Sequence, residues 1–144
     1  MSTDRSTAPL WRQRLLVPVA AFVLGAISLH AGESHPTVTA EEALALAKAD
    51  TTILLLDVRT KGEYESQTGH LKGALLIPVQ ELETRIGELE QFKGRKIIAY
   101  CRTGNRSSHA TDYLNRQGFT VVNLSGGITE WNRKGYPVVR EGER

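Results

Sequence analysis

The stretch Cys101-Arg102-Thr103-Gly104-Asn105-Arg106-Ser107 gathers the residues of this 144-residue chain whose types and spacing suit covalent chemistry. It holds the chain's only cysteine. The apolar run Ile97-Ile98-Ala99-Tyr100 leads into it, and a helix-like segment from Ser107 to Gln117 leads out. A strand that passes through a glycine-containing turn into a helix presents successive backbone N–H groups, and the positive end of the helix dipole, to whatever sits in the turn. A thiol held there ionises more readily than free cysteine, whose pKa is about 8.5. Arg102 and Arg106 are the expected contacts to an anionic substrate, Arg106 with an alternative role in ordering the loop by hydrogen-bonding its carbonyls. Thr103 and Asn105 are expected to contribute mainly backbone donors, and Gly104 a positive-φ position or a close backbone approach. Ser107 reads as the cap of the following helix, with direct contact to the sulfur as the alternative. A cysteine kept only for core packing has no need of these neighbours.

The elements that must position this turn alternate along the chain. Thr39 and Glu42 form a capping box for a helix starting at Ala40, with Ala43, Leu44 and Ala47 on its buried face. Ile53 to Leu56 is a continuous apolar run, the pattern of a strand buried on both faces, and Ala74 to Ile77 is a second, stopped by Pro78. Between them, Gly62 to Gln67 reads as a short helix. Leu82, Ile86 and Leu89 fit one face of a further helix that closes near Gly94. Ile97 to Tyr100 and Thr120 to Leu124 are the third and fourth strands, separated by the helix that Gly118 ends. Gly126-Gly127 opens a last helix carrying Trp131, which reads as core, and Gly135-Tyr136-Pro137 ends it. Strands separated by helices imply an α/β fold with parallel pairing, whose active sites lie beyond the carboxyl ends of the strands. Cys101 sits at such an end, and so does Asp57, whose structural role would be to close its strand by accepting from loop amides.

The N-terminus differs in character. Arg5, Arg12 and Arg14 precede an uncharged run from Leu15 to Leu29, shorter than the roughly 20 residues that span a bilayer. The pattern reads as a signal peptide over 1–31, with an uncleaved anchor as the alternative, a linker over 32–37, and one domain over 38–144. The basic residues ahead of the run predict export of the domain, to the periplasm of a bacterium or facing it from the inner membrane. The formal net charge of +2 arises wholly in this leader, so from Gly32 onward acidic and basic residues balance. A neutral domain gives no reason to expect a nucleic-acid partner. His70 is expected to fix the turn before Lys72-Gly73, and neither His35 nor His109 is spaced to form a metal site with Cys101, so no metal is expected.

Five motifs in order carry a family resemblance: Leu55-Leu56-Asp57-Val58-Arg59, Gly69-His70-Leu71-Lys72-Gly73-Ala74, Ile77-Pro78-Val79, the loop Cys101 to Ser107, and Leu124-Ser125-Gly126-Gly127 with Trp131, Gly135, Pro137 and Val138. With these the chain resembles a single-domain rhodanese from about Val38 to Val139. The resemblance implies a rhodanese-like α/β fold with a central five-stranded parallel sheet flanked by helices. It implies a catalytic Cys101 that takes sulfane sulfur from thiosulfate or a similar donor, holds it as a persulfide, and passes it to cyanide, a small thiol or a thiol protein. The amides of Arg102 to Arg106 would hold the sulfur, with no organic cofactor. Asp57 and Arg59 would support the loop, Arg59 pairing with Glu63 or Glu65. A monomer follows as the expected state. A persulfide carrier or partner-binding module is the alternative. A cysteine phosphatase or arsenate reductase is a more distant one, because such loops place five residues between cysteine and arginine, and four stand here.

Overall fold

The computed structural model describes residues 35–140 and 142, so the apolar leader and its cleavage point lie outside the described residues. Five parallel strands form one sheet in the order β1-β5-β4-β2-β3. These are β1 (Thr37–Val38), β2 (Leu54–Asp57), β3 (Leu75–Leu76), β4 (Lys96–Tyr100) and β5 (Thr120–Leu124). Four of them coincide with the apolar runs. The fifth, β1, is two residues long and too short to show a period, and it begins at Thr37, the last position assigned to the linker. It pairs Thr37 with Asn123 and Val38 with Leu124.

Alternation along β4 distributes the core. Ile97, Ala99 and Cys101 face one side of the sheet with Leu54, Leu56, Ala110 and Leu114, while Ile98 and Tyr100 face the other with Leu124, Ile128 and Trp131. Cys101 thus continues a buried file of side chains into the turn. Register sets Asp57 level with Tyr100, so the ends of β2 and β4 lie side by side.

Helix α1 (Ala40–Ala49) starts at the expected capping box, with Thr39 N–H donating to Glu42 Oε2 at 2.8 Å and Glu42 N–H donating to Thr39 Oγ1 at 3.2 Å. Helix α2 spans Lys61–Tyr64 instead of Gly62 to Gln67, because a second capping box, Thr60 with Glu63, sets its start one residue earlier. The helix expected from Leu82 to Gly94 divides into α3 (Leu82–Arg85) and a 3-10 helix (Ile86–Phe92). Gly87 lies at the division, where glycine weakens α-helix continuity, and the tighter winding still buries Leu82 and Leu89. Helices α4 (Asn105–Arg116) and α5 (Gly127–Arg133) follow β4 and β5. Among the described residues no helix is long and apolar enough to cross a membrane.

Candidate active site

Beyond Tyr100 the chain leaves the sheet and enters α4 within four residues. The turn closes at Gly104, whose φ of +106° is open to glycine and strained for other residues. Its amide donates to Cys101 Sγ at 3.1 Å. Burial opposes ionisation of the thiol, but the Ser107 hydroxyl and the amides of Ser107, Gly104 and Thr103 outweigh it and hold the Cys101 pKa below the ordinary thiol value. Of the amides from Arg102 to Arg106 expected to hold the sulfur, that of Gly104 donates to it, while those of Thr103 and Ser107 favour its ionised form.

Ser107 is not the helix cap. Gly104 occupies that position, so α4 begins two residues earlier than its sequence suggests and places Ser107 in the first turn. Its buried hydroxyl turns back towards the site, 3.4 Å from Cys101 Sγ, 3.1 Å from the Gly104 carbonyl oxygen and 2.6 Å from Asn123 Oδ1. The contact to sulfur, named above as the alternative, is the one that forms. Thr103 and Asn105 are exposed, consistent with backbone roles.

The three arginines separate. The Arg102 side chain is exposed and makes no hydrogen bond or ion pair among the described residues, which leaves it available to an incoming anion. Arg106 forms a two-pronged pair with Glu63, Nη1 to Oε2 at 2.8 Å and Nη2 to Oε1 at 2.6 Å. That pair, led by the hydrogen bonds from Arg106, brings the Glu63 carboxyl down to about 2. Glu63 or Glu65 is the partner that the resemblance implies for Arg59, and Glu63 does not take that role with its carboxylate. Instead it ties α2 to α4, and only its backbone carbonyl reaches Arg59.

Arg59 is buried at 1% exposure and bonded all round. Its Nε donates to Asp57 Oδ1 at 2.9 Å, and its Nη2 donates to Asp57 Oδ2 at 2.6 Å and to the Gly69 carbonyl at 2.9 Å. Nη1 reaches Thr68 Oγ1 at 3.1 Å. Burial works against this charge, and the Asp57 carboxylate more than offsets it, so the guanidinium is held more firmly protonated. Asp57 also accepts from the Arg59 amide at 3.0 Å, the strand-closing role its position suggested. His70 fixes the neighbouring turn: its ring stacks on Tyr64 with centroids 3.7 Å apart, and its backbone exchanges hydrogen bonds with Val139. Trp131 is core, its Nε1 donating to the Pro137 carbonyl at 3.0 Å. Among the described residues no cluster of histidine, cysteine, aspartate and glutamate is placed to hold a metal ion.

Two contributors escaped the sequence reading. The start of α5 grips the outside of the loop: Ile128 N–H donates to the Cys101 carbonyl at 2.9 Å and Thr129 N–H to the Arg102 carbonyl at 3.0 Å. Drawing those carbonyls outward leaves the loop's amides free to face inward. Gly127 permits the grip, since a Cβ there would lie 2.5 Å from the Cys101 carbonyl oxygen. The Gly126-Gly127 doublet is the available signal, and as a helix start and part of a family motif it does not by itself point to the loop carbonyls. Asn123, behind Ser107, gave no signal beyond a polar residue in an apolar strand.

The whole arrangement stabilises a thiolate, and an anion formed on it, at the mouth of a parallel sheet. The comparisons agree with this geometry. The rhodanese-like domain model matches residues 39–134. A sulfurtransferase of Allochromatium vinosum is 41% identical over 100 residues, 68% of this chain and 90% of the relative. Among solved structures, a rhodanese-related protein of Thermoplasma volcanium superposes with a TM-score of 0.67 at 32% identity, covering 74% of this chain and 100% of that one. A thiosulfate sulfurtransferase of Pseudomonas aeruginosa gives 0.66 at 29% identity, covering 76% of this chain and 21% of that one. With the sheet order, the cysteine turn and these matches in agreement, the chain belongs to the rhodanese family.

Proposed function

We propose that this protein is a thiosulfate-type sulfurtransferase working through a Cys101 persulfide. The observation that carries the reading is the Cys101 sulfur held by the Gly104 amide and the Ser107 hydroxyl, with its pKa lowered despite burial. The Cys101 thiolate attacks the outer sulfur of thiosulfate. A new S–S bond forms, the original one breaks, and sulfite leaves with its electron pair. The persulfide anion occupies the same cradle. An acceptor such as cyanide or a thiol then takes the outer sulfur and the Cys101 thiolate returns. Arg102 meets the dianionic donor at the entrance, while Arg106, shared with Glu63, adds a weaker field.

The names of the Allochromatium and Pseudomonas relatives support sulfur transfer. No organic cofactor or metal enters the cycle as written, and one copy of the domain supplies every group in it. The acceptor is a small thiophile or a thiol protein. The basic residues and apolar run at the N-terminus favour a domain working outside the cytoplasm, in the periplasm or anchored facing it.

Intact-mass spectrometry tests the cycle. Thiosulfate should add one sulfur atom, cyanide should remove it as thiocyanate, and Cys101→Ser should show neither step. A protein whose mass is unchanged by thiosulfate would overturn the donor assignment.

A further inference from the structure

The first turn of α4 and the end of β5 enclose a buried polar relay that the cycle above leaves unused. Ser107 is 0% and Asn123 4% exposed. The serine hydroxyl has three acceptors in reach: Asn123 Oδ1 at 2.6 Å, the Gly104 carbonyl at 3.1 Å and Cys101 Sγ at 3.4 Å. It has one proton and satisfies one of them at a time. When that proton goes to the nearest, Asn123, Ser107 turns lone pairs towards the sulfur, which suits a protonated thiol. A thiolate needs the opposite, a proton donated from Ser107. An asparagine amide carries an acceptor and a pair of donors on one carbon, so its reversal lets Nδ2–H donate to Ser107 Oγ and releases the serine proton to the sulfur. Among the described residues Ser107 is the one hydrogen-bond partner of the Asn123 side chain, so no other bond fixes the amide in either sense.

We propose that Asn123 is a positioning residue that acts on Cys101 through Ser107, its amide reversing so that the serine accepts from the thiol and donates to the thiolate. Charge reaches the sulfur from Arg106 on α4, and from Glu63 on α2 through that arginine, while Arg102 in the loop is exposed. From β5 and α5 the neighbours are Asn123, Gly126, Gly127 and Ile128, which carry none. The charged groups make no hydrogen bond to Asn123, so substitution there leaves them in place.

The inference rests on Cys101 being the reacting group, but its test needs no sulfur donor. The ultraviolet absorbance of the thiolate, followed against pH with Cys101→Ser as the baseline, reports this group alone because the chain has one cysteine. Asn123→Asp is nearly isosteric and only accepts once ionised, so it keeps the serine proton from the sulfur. The thiol's titration midpoint should rise by about one unit. Asn123→Leu removes both donor and acceptor, and its effect on the midpoint should disappear when Ser107 is already alanine. A midpoint unmoved in Asn123→Asp overturns the proposal. So does an Asn123→Leu shift of equal size with and without Ser107. Circular dichroism of each variant establishes that it is folded, and if the leucine variant is not, the aspartate variant decides. A protein that takes no sulfur from thiosulfate yet shows these shifts would overturn the donor assignment and leave Asn123's role standing.

Discussion

Two adjacent strands of this sheet end at the same level and use their polar groups in opposite ways. At the end of β2, Asp57 and Arg59 face each other below the surface, and the remaining guanidinium donors go to Gly69 and Thr68. At the end of β4 the Gly104 amide and the Ser107 hydroxyl converge on one sulfur, the Arg102 side chain is exposed and unpaired among the described residues, and Ser107 has more acceptors than protons. The β2 end is internally satisfied. The β4 end keeps hydrogen-bonding capacity for something that arrives. A polar cluster therefore points to chemistry when its donors converge on an empty or reactive centre, and to architecture when they are consumed by one another.

The widest separation of the two ends comes from Cys101→Ser, which should eliminate persulfide formation by intact mass while leaving the melting temperature nearly unchanged. Arg59→Ala should do the reverse. It leaves the Asp57 carboxylate buried without its partner, a loss of about 3–5 kcal/mol read from urea unfolding, against a typical total stability of about 5–15 kcal/mol. Sulfur transfer per folded molecule should persist, and a parallel fall would show that the two ends are coupled. Gly127→Ala tests the grip of α5 on the loop, since its Cβ would lie 2.6 Å from the Arg102 carbonyl oxygen and φ there is +55°. A cost of about 1–3 kcal/mol together with slower persulfide formation is expected, because strain at that point turns the loop carbonyls.

Arg102→Ala should raise the KM for thiosulfate by about three- to tenfold with little loss of turnover, the signature of uniform binding. Unchanged steady-state kinetics would remove Arg102 from donor recognition. The smallest effect belongs to Glu63. Its folded-state pKa of about 2 lies below the ordinary 4.5, so its stabilisation is complete above about 4.5 and is lost as pH falls through about 2. Both partners are about one-third exposed, 33% for Arg106 and 30% for Glu63, which limits the pair to about 1 kcal/mol or less. Glu63→Gln preserves the capping box and should therefore flatten only the acid limb of a stability–pH profile measured by urea unfolding.

Much of this was readable from residue order. The apolar runs marked four strands, Thr39 with Glu42 marked the start of α1, and the cysteine turn between Tyr100 and the α4 segment marked the candidate site, because each depends on neighbours close in sequence. The strand β1 escaped, being two residues long and defined only by its pairing with β5. The partners of charged groups escaped as well. Arg59 found Asp57 two positions before it, while Glu63 lay 43 residues from Arg106 and close only once α2 and α4 were side by side.

Residue types and their order set the chemistry available: one thiol, a glycine at the turn, arginines on either side of that glycine, and a helix beginning just beyond. Local backbone preference is enough to specify those, since each acts within one turn of chain. Tertiary structure alone decided which groups reach the sulfur. Ser107 serves the thiol because α4 starts at Asn105, Asn123 stands behind it because β5 pairs with β4 in a fixed register, and the loop amides face inward because α5 holds their carbonyls from outside. Those contacts join residues far apart in the chain, and only the closed sheet brings them within hydrogen-bonding distance.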